Sequence, residues 1–338
     1  AIIQARMGSS RLPGKVLKKI GKNTILDLIY KRLKKSKEID KIIIATSINK
    51  SDDKIINFCQ SNNIEYYRGS EDNVLERFYN ASLINKGTDI VRITADCPLV
   101  DPKIVDKAIR LYRETFVDYL SNVNPPTYPD GYDVEVFSMK ALEEAYKNAK
   151  TNEELEHVTP YIINNKSLSS HTLYNSEDYS EIRLTVDENE DLLVIKEIYD
   201  YFHPNIFFSH NDVINAYNSN PEKFRKNVHI KRNEGLKMKK GQKLYNRAKS
   251  IIPGGNMLLS KRPEMWLPDQ WPSYFSKAKG CKIWDLDGIE YTDMASMGIG
   301  TNILGYSHPE VEETVVKAIT DGNMSTLNCP EEVLLAEK

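Results

Sequence analysis

The sequence predicts an α/β protein built on a mostly parallel sheet, and three observations carry that prediction. Short apolar runs alternate with amphipathic stretches through the first 120 residues. A loop rich in glycine, serine and cations follows the first apolar run. Aspartates recur just past two later apolar runs. The alternation points to βαβ units, and polar residues gathered past strand ends lie where open α/β sheets bind ligands.

In chain order, the apolar runs Ile2–Ala5, Lys41–Thr46, Ile64–Tyr67 and Asp89–Thr94 read as strands. Amphipathic stretches at Thr24–Lys35, Ser51–Ser61, Asn73–Asn85 and Pro102–Thr115 read as helices. Asn122–Tyr132 carries Pro125, Pro126, Pro129 and Gly131, which predicts a loop or lid over the active face. Tyr132–Phe137 then reads as a strand, and Met139–Ala149 and Glu153–Asn164 as helices. Ile182–Val186 reads as a short strand, with closing helices at Asp191–Phe202 and His210–Asn218.

At 338 residues the chain predicts two domains. Between Lys223 and Lys243 lie nine basic residues and one acid, with Phe224 the single Phe, Tyr or Trp among them. This is the pattern of a solvated linker rather than a nucleic-acid surface. We place the domains at 1–230 and 241–338, with the basic linker at 231–240. The net charge of −2 supplies no global field toward nucleic acid or membrane. No apolar run reaches the ~18 residues of a spanning helix. Four scattered cysteines without a C-x-x-C pair predict buried reduced thiols in a cytoplasmic protein. The chain opens inside a strand, which predicts further residues before Ala1.

From Ala1 to Lys22 there are six basic residues and no acid. Small residues let a backbone approach a ligand closely, and Arg6, Arg11 and Lys15 suit a polyphosphate. A Walker A loop does not fit, because five residues separate Gly8 from Gly14 and Val16 follows Lys15. In IVRITADCPLV (90–100), Asp96 falls just past a strand. It is either a carboxylate able to hold Mg2+ beside phosphates or a turn residue, whereas Asp101 before Pro102 reads as a helix cap. In LTVDENEDL (184–192), Asp187 is either a second metal carboxylate or, with Asn189, a cap for the helix that follows.

The segment ARMGSSRLPGK (5–15) resembles the opening signature of cytidylyltransferases that make CMP-activated sugars. The resemblance is to the spore-coat-polysaccharide type, related to CMP-sialate and CMP-Kdo synthetases, and it covers about residues 1–230. It implies a Rossmann-like nucleotidyltransferase domain. It favours the metal reading of Asp96 and Asp187, though Asn189 stands where the family usually has proline. GSEDNVLERF (69–78) matches a further family segment. The resemblance thus implies nucleotide-binding residues Ala5, Arg6, Gly8, Ser9, Lys15, Ser70 and Arg77, with Arg6, Arg11 and Lys15 catalytic. DGYDVEVF (130–137) and EHVTPY (156–161) match its acceptor side. They implicate Tyr128, Asp133 and His157, the last being either an acceptor contact or a structural hydrogen-bonder. The implied activity is CMP transfer from CTP to a sugar-like acid or phosphorylated acceptor, with Mg2+, by a homodimer, for surface polysaccharide assembly.

Residues from about 241 onward resemble the opening of class III pyridoxal-phosphate aminotransferases of the glutamate-1-semialdehyde aminomutase kind. IIPGG (251–255), AKGCKIWDLDGIEYTDM (278–294), MGIGTNILGYSHPEV (297–311) and NCPEEVLLAEK (328–338) carry it. WDLDGIEYTDM also reads as a β-hairpin turning at Asp287-Gly288. The resemblance places the family's Schiff-base lysine downstream of Lys338, and Lys261, Lys277 and Lys282 do not occupy its position. This segment is therefore expected to be inactive as it stands, with exposed apolar surface, and PLP to belong to a longer protein. The alternative function is a bifunctional protein whose main activity is that of an aminotransferase or aminomutase.

Overall fold

The first strand, β1 (Ile2–Gln4), is the hub of the fold: it pairs in parallel with β4 (Ile43–Ser47) on one side and β6 (Asp89–Thr94) on the other. In this computed structural model all residues are described except 10, 231, 233–238, 269, 296, 297, 299 and 323–325. The chain divides into two compact units, Ala1–Glu234 and Gly235–Lys338.

In the first unit, a small hairpin of β2 (Lys19–Ile20) and β3 (Asn23–Thr24) leads into α1 (Ile25–Leu33). Then come α2 (Asp53–Ser61), β5 (Tyr66–Gly69), α3 (Val74–Ile84) and α4 (Pro102–Thr115). Next follow β7 (Tyr119–Ser121), β8 (Glu135–Ser138), α5 (Met139–Asn148), α6 (Asn152–His157) and α7 (Pro160–Asn164). The unit closes with β9 (Ser170–Thr172), α8 (Asn189–Phe202), α9 (His210–Ser219) and α10 (Pro221–Phe224). The seven-stranded sheet runs β5-β4-β1-β6-β8-β7-β9. Only β8 runs antiparallel to its neighbours β6 and β7, so the fold is α/β with a mostly parallel sheet.

Local chemistry starts these helices where the sequence places them. Thr24, Asn73, Ser138 and Ser209 each accept a backbone N–H of their helix's first turn. Asp101 caps α4 by accepting Lys103 N at 2.8 Å, with Pro102 at the first helical position. Side chains of a strand alternate between faces. Ile3, Ile44 and Ile93 accordingly join one buried cluster, whereas Ile2 and Ala45 join another.

Several elements differ from the sequence reading. Residues 182–186 do not form a strand; they make one isolated bridge, Asp130 to Arg183. Their backbone is spent on loops at the strand ends: Leu184 N donates to Asp130 O at 2.7 Å and Val186 N to Asp96 O at 2.8 Å. The expected helix 153–164 splits into α6 and α7, because Pro160 has no N–H and disfavours a helical residue before it. The three-residue strands β7 and β9 are too short to show a period in the sequence. All four cysteines are free, but only Cys59 and Cys97 are buried, while Cys281 and Cys329 are exposed.

In the second unit a helix at Lys240–Ile251 precedes an antiparallel sheet of β10 (Phe275–Lys279), β11 (Lys282–Asp285) and β12 (Glu290–Thr292). The β11–β12 turn has Gly288 at φ +79°, and Asp285 accepts the N–H groups of Asp287 and Ile289 at 2.9 Å each. Helices Pro309–Asp321 and Glu331–Ala336 bury no residue. Of the glycine-rich stretch 297–311, residues 297 and 299 lie outside the described residues, as do residues 231 and 233–238 of the basic linker. Among the described residues, no helix is long and apolar enough to cross a membrane.

Candidate active site

The loop after β1 is folded on itself and pinned from beneath. Gly14 N and Ser9 N both donate to Met7 O, at 3.1 and 2.9 Å, and Ser9 Oγ accepts Leu12 N at 3.2 Å. Gly14 sits at φ +68°, a conformation that costs glycine little, and it turns the chain into the short helix Lys15–Leu17. Asp52, buried at the start of α2, accepts Met7 N at 2.7 Å. Its other oxygen accepts Ser47 Oγ at 2.6 Å and Thr46 Oγ1 at 3.1 Å. Ala5 is buried at the end of β1, Gly8 is exposed at the loop tip, and Arg6 pairs with Glu156 at 3.5 Å.

The loop places Lys15 between the two aspartates. Its Nζ lies 3.0 Å from Oδ2 of Asp96, just past β6, and 2.8 Å from Oδ1 of Asp187, just before α8. Arg11 lies 3.0 Å from Asp187 and 3.4 Å from Glu188. Burial by itself would raise the Asp96 pKa. The charge of Lys15 and hydrogen bonds from Thr94, Lys15 and Cys97 outweigh it and hold the carboxyl well below the usual range. Burial opposes the charge on Lys15 as well, and the two aspartates outweigh it and raise its pKa.

Neither aspartate is occupied as a helix cap. The cap of α8 is Glu188, in a reciprocal box with Asp191, so Asp187 and Asn189 are released from the capping role considered for them. Asp96 uses its main-chain carbonyl, not its carboxylate, to bind Val186 N and Thr185 Oγ1. Arg183 fixes the acidic turn. It takes Asp191 in two bonds of 2.9 and 2.8 Å, Asp130 at 3.0 Å and Asp187 Oδ2 at 3.2 Å. The two carboxylates suit a hard divalent cation: both are oxygen donors at neighbouring loops, and a cationic ammonium already bridges them.

The acceptor-side residues fall into different settings. Gly131, at φ +107°, packs so closely under residues 184–185 that a Cβ would lie 2.5 Å from Leu184 C. Asp133 meets Arg232 at 2.8 Å, and Arg232 also donates to Tyr128 O at 3.2 Å. Burial pushes Asp130 and Asp133 above the usual carboxylate range, against the pull of Arg232. Tyr128 is a core residue whose ring packs 5.5 Å from that of His210. His157 is half-buried at the end of α6, where Val158 at φ +71° forms a γ-turn closed by Thr159 N to His157 O at 2.8 Å. Ser70 accepts Arg77 Nη1 through its carbonyl at 2.9 Å. Arg77 is wholly buried beside the end of β5, with Nε and Nη2 unpaired.

The structure thus gathers Arg11, Lys15, Asp96 and Asp187 into one constellation and places Ala5, Tyr128 and Arg77 in the interior. Sequence reasoning missed Asp52, Arg183, Glu188, Asp191 and Arg232. A signal existed for Arg183, a lone charge within the apolar run 182–186. Asp52 has no such signal, because its sequence context is that of an ordinary helix start.

Residues 1–244 match the family model described as cytidylyltransferase. The chain is 35% identical over 234 residues to the spore coat polysaccharide biosynthesis protein SpsF of Bacillus subtilis, covering 65% of this chain and 94% of that one. It resembles the solved structure of a cytidylyltransferase from Leptospira borgpetersenii with a TM-score of 0.63 and 34% identity, over 66% of this chain and 94% of that one. The chain is also 38% identical over 102 residues to glutamate-1-semialdehyde 2,1-aminomutase of Acetivibrio thermocellus, covering 30% of this chain and 23% of that one. The chain therefore spans about a quarter of that relative's length.

Proposed function

This chain belongs to the cytidylyltransferase family, and we propose that its first unit transfers CMP from CTP to a sugar or sugar-like acid with release of pyrophosphate. The observation that carries the reading is the convergence of Arg11 and Lys15 on Asp96 and Asp187 at the strand ends. The acceptor oxygen attacks the α-phosphorus, the bond from that phosphorus to the bridging oxygen breaks, and pyrophosphate leaves. Such transfer depends on positioning and charge neutralisation. Arg6, Arg11 and Lys15 hold the phosphates. Asp133, whose carboxyl burial pushes upward, is suited to take the acceptor's proton. A divalent cation held by Asp96 and Asp187 would neutralise charge on the α-phosphate. The loop at residues 5–8 and Ser70 border the base, with Arg77 buried behind Ser70 and bonded to its carbonyl. The likeness to SpsF supports a product destined for surface polysaccharide.

In the second unit, Lys261 is exposed, Lys277 lies over the Trp284 ring at 4.8 Å, and Lys282 meets Thr292 at 2.9 Å. No step is assigned to this unit.

The test is pyrophosphate release from CTP with a panel of acceptors: nonulosonic acids, Kdo-like acids and phosphorylated small molecules. Release that requires both CTP and one acceptor class is the expected result. Absence of release with every nucleotide and acceptor would sink the reading.

A further inference from the structure

Lys15 stands where a cation is needed, and it is itself a cation. Its ammonium bridges Asp96 Oδ2 at 3.0 Å and Asp187 Oδ1 at 2.8 Å. Arg11 lies 3.0 Å from that same Asp187 oxygen, and Arg183 lies 3.2 Å from the other one. Both oxygens of Asp187 are therefore met by protein cations. The second oxygen of Asp96 faces the Cys97 thiol at 3.5 Å. Among the described residues, no group of three or more His, Cys, Asp or Glu is arranged to hold a metal ion.

We propose that Lys15 is the resident counter-ion of the Asp96–Asp187 pair and excludes a free divalent cation until a nucleotide's phosphates draw its ammonium away. The inference rests on the reading of the two aspartates as metal carboxylates. A divalent cation on these oxygens would add a doubly charged ion to a site that already holds the Lys15 and Arg11 charges, and their mutual repulsion opposes its binding. Mg2+ and Mn2+ seek more ligands than two monodentate carboxylates supply, and phosphate oxygens usually complete the set. A triphosphate gives the Lys15 ammonium a second anionic partner of equal strength. Its arrival therefore frees the carboxylates and brings the missing ligands in the same event. Metal and nucleotide affinities are then coupled, each raising the other.

The experiment titrates Mn2+ into the whole chain and reads free Mn2+ by electron paramagnetic resonance. It is run without nucleotide and with the non-hydrolysable α,β-methylene analogue of CTP. The proteins are wild type, Lys15→Met, Lys15→Gln and the double variant Lys15→Met/Asp187→Asn, each checked for folding by circular dichroism. We expect wild type to gain about tenfold or more in Mn2+ affinity when the analogue is present. We expect nucleotide-free Lys15→Met to bind Mn2+ about tenfold more tightly than nucleotide-free wild type, because Asp96 loses the ammonium it pairs with and Asp187 keeps only Arg11 and Arg183. The double variant should lose that gain. Lys15→Gln stands in if Lys15→Met does not fold. Folded Lys15 variants that bind Mn2+ alone no better than wild type would overturn the inference, while a wild-type gain with the analogue would leave the metal reading standing. If no protein binds Mn2+ even with the analogue, the metal reading fails and the inference falls with it.

Discussion

Asp191 takes the Nε and Nη2 edge of Arg183 in two hydrogen bonds, at 2.9 and 2.8 Å, and is wholly shielded from solvent. The same carboxylate accepts the backbone N–H groups of Asp187 and Glu188, each at 2.9 Å, and Asn227 Nδ2 at 2.7 Å. One buried ion pair thus sets the backbone of the acidic turn and ties back one oxygen of Asp187. Asp187 faces Lys15 with the other.

Asp191→Ala leaves Arg183 buried beside empty space. Breaking a buried pair from one side costs about 3–5 kcal/mol. Urea denaturation followed by far-ultraviolet circular dichroism should show a loss of that order, with a lowered midpoint. A loss below about 1 kcal/mol would mean that Asp130 and Asp187 compensate Arg183 without Asp191.

Asp96→Asn and Asp187→Asn should each lower turnover by roughly tenfold or more, since in the proposed reaction each removes a charge that would hold the cation beside the phosphates. The start of α8 is retained in Asp187→Asn, because Glu188 and Asp191 cap that helix. Steady-state kinetics alongside thermal melts separates the two effects. Full turnover in Asp187→Asn would make that aspartate a spectator.

Lys15→Ala and Arg11→Ala should weaken CTP binding or turnover more than Lys18→Ala or Lys19→Ala. The first two reach the paired aspartates, whereas Lys19 is exposed on the small hairpin. Calorimetry with CTP on all four variants decides this. Equal losses would show that general positive charge, not the loop's geometry, holds the nucleotide.

Asp52→Ala removes the acceptor for Met7 N beneath the loop after β1. Leaving such buried donors unpaired costs about 1–3 kcal/mol. The loop should also lose its set position, so KM for CTP should rise more than kcat falls. A stability loss with unchanged KM would make Asp52 a purely structural clamp.

Arg232 ties the end of the first unit to Asp133 and to Tyr128 O. A chain ending at residue 234 should keep cytidylyltransferase activity and be more soluble than the whole chain. One ending at residue 230 should bind its acceptor more weakly, and Arg232→Ala in the whole chain should do the same. Trypsin should cut the whole chain first within 223–243, where its sites are dense. An inactive or insoluble 1–234 chain would place the domain boundary elsewhere.

The alternation of apolar and amphipathic stretches was enough to foresee the mostly parallel sheet, and the cations of the loop after β1 stood out in the sequence, whereas Asp96 and Asp187 stayed open between metal carboxylate and turn or cap until the family resemblance favoured the first. Those features are local: strand and helix periods, caps such as Asp101, and the glycine that turns the loop at residue 14 are written in neighbouring residues. The fate of Ile182–Val186 was not. Its pattern is that of a strand, but its backbone bonds to Asp130 and Asp96, distant in sequence, and it therefore lies across the strand ends. That Asp187 does not cap α8 was likewise not legible, because Glu188 and Asp191 take that role and the buried Arg183 holds Asp191 and Asp187 in place. Tyr128, read as an acceptor contact, is packed against His210, which lies 82 residues further along the chain (210 − 128). Periodicity reports which face of an element is apolar, whereas partners for buried charges are chosen by what the folded chain brings within about 3 Å.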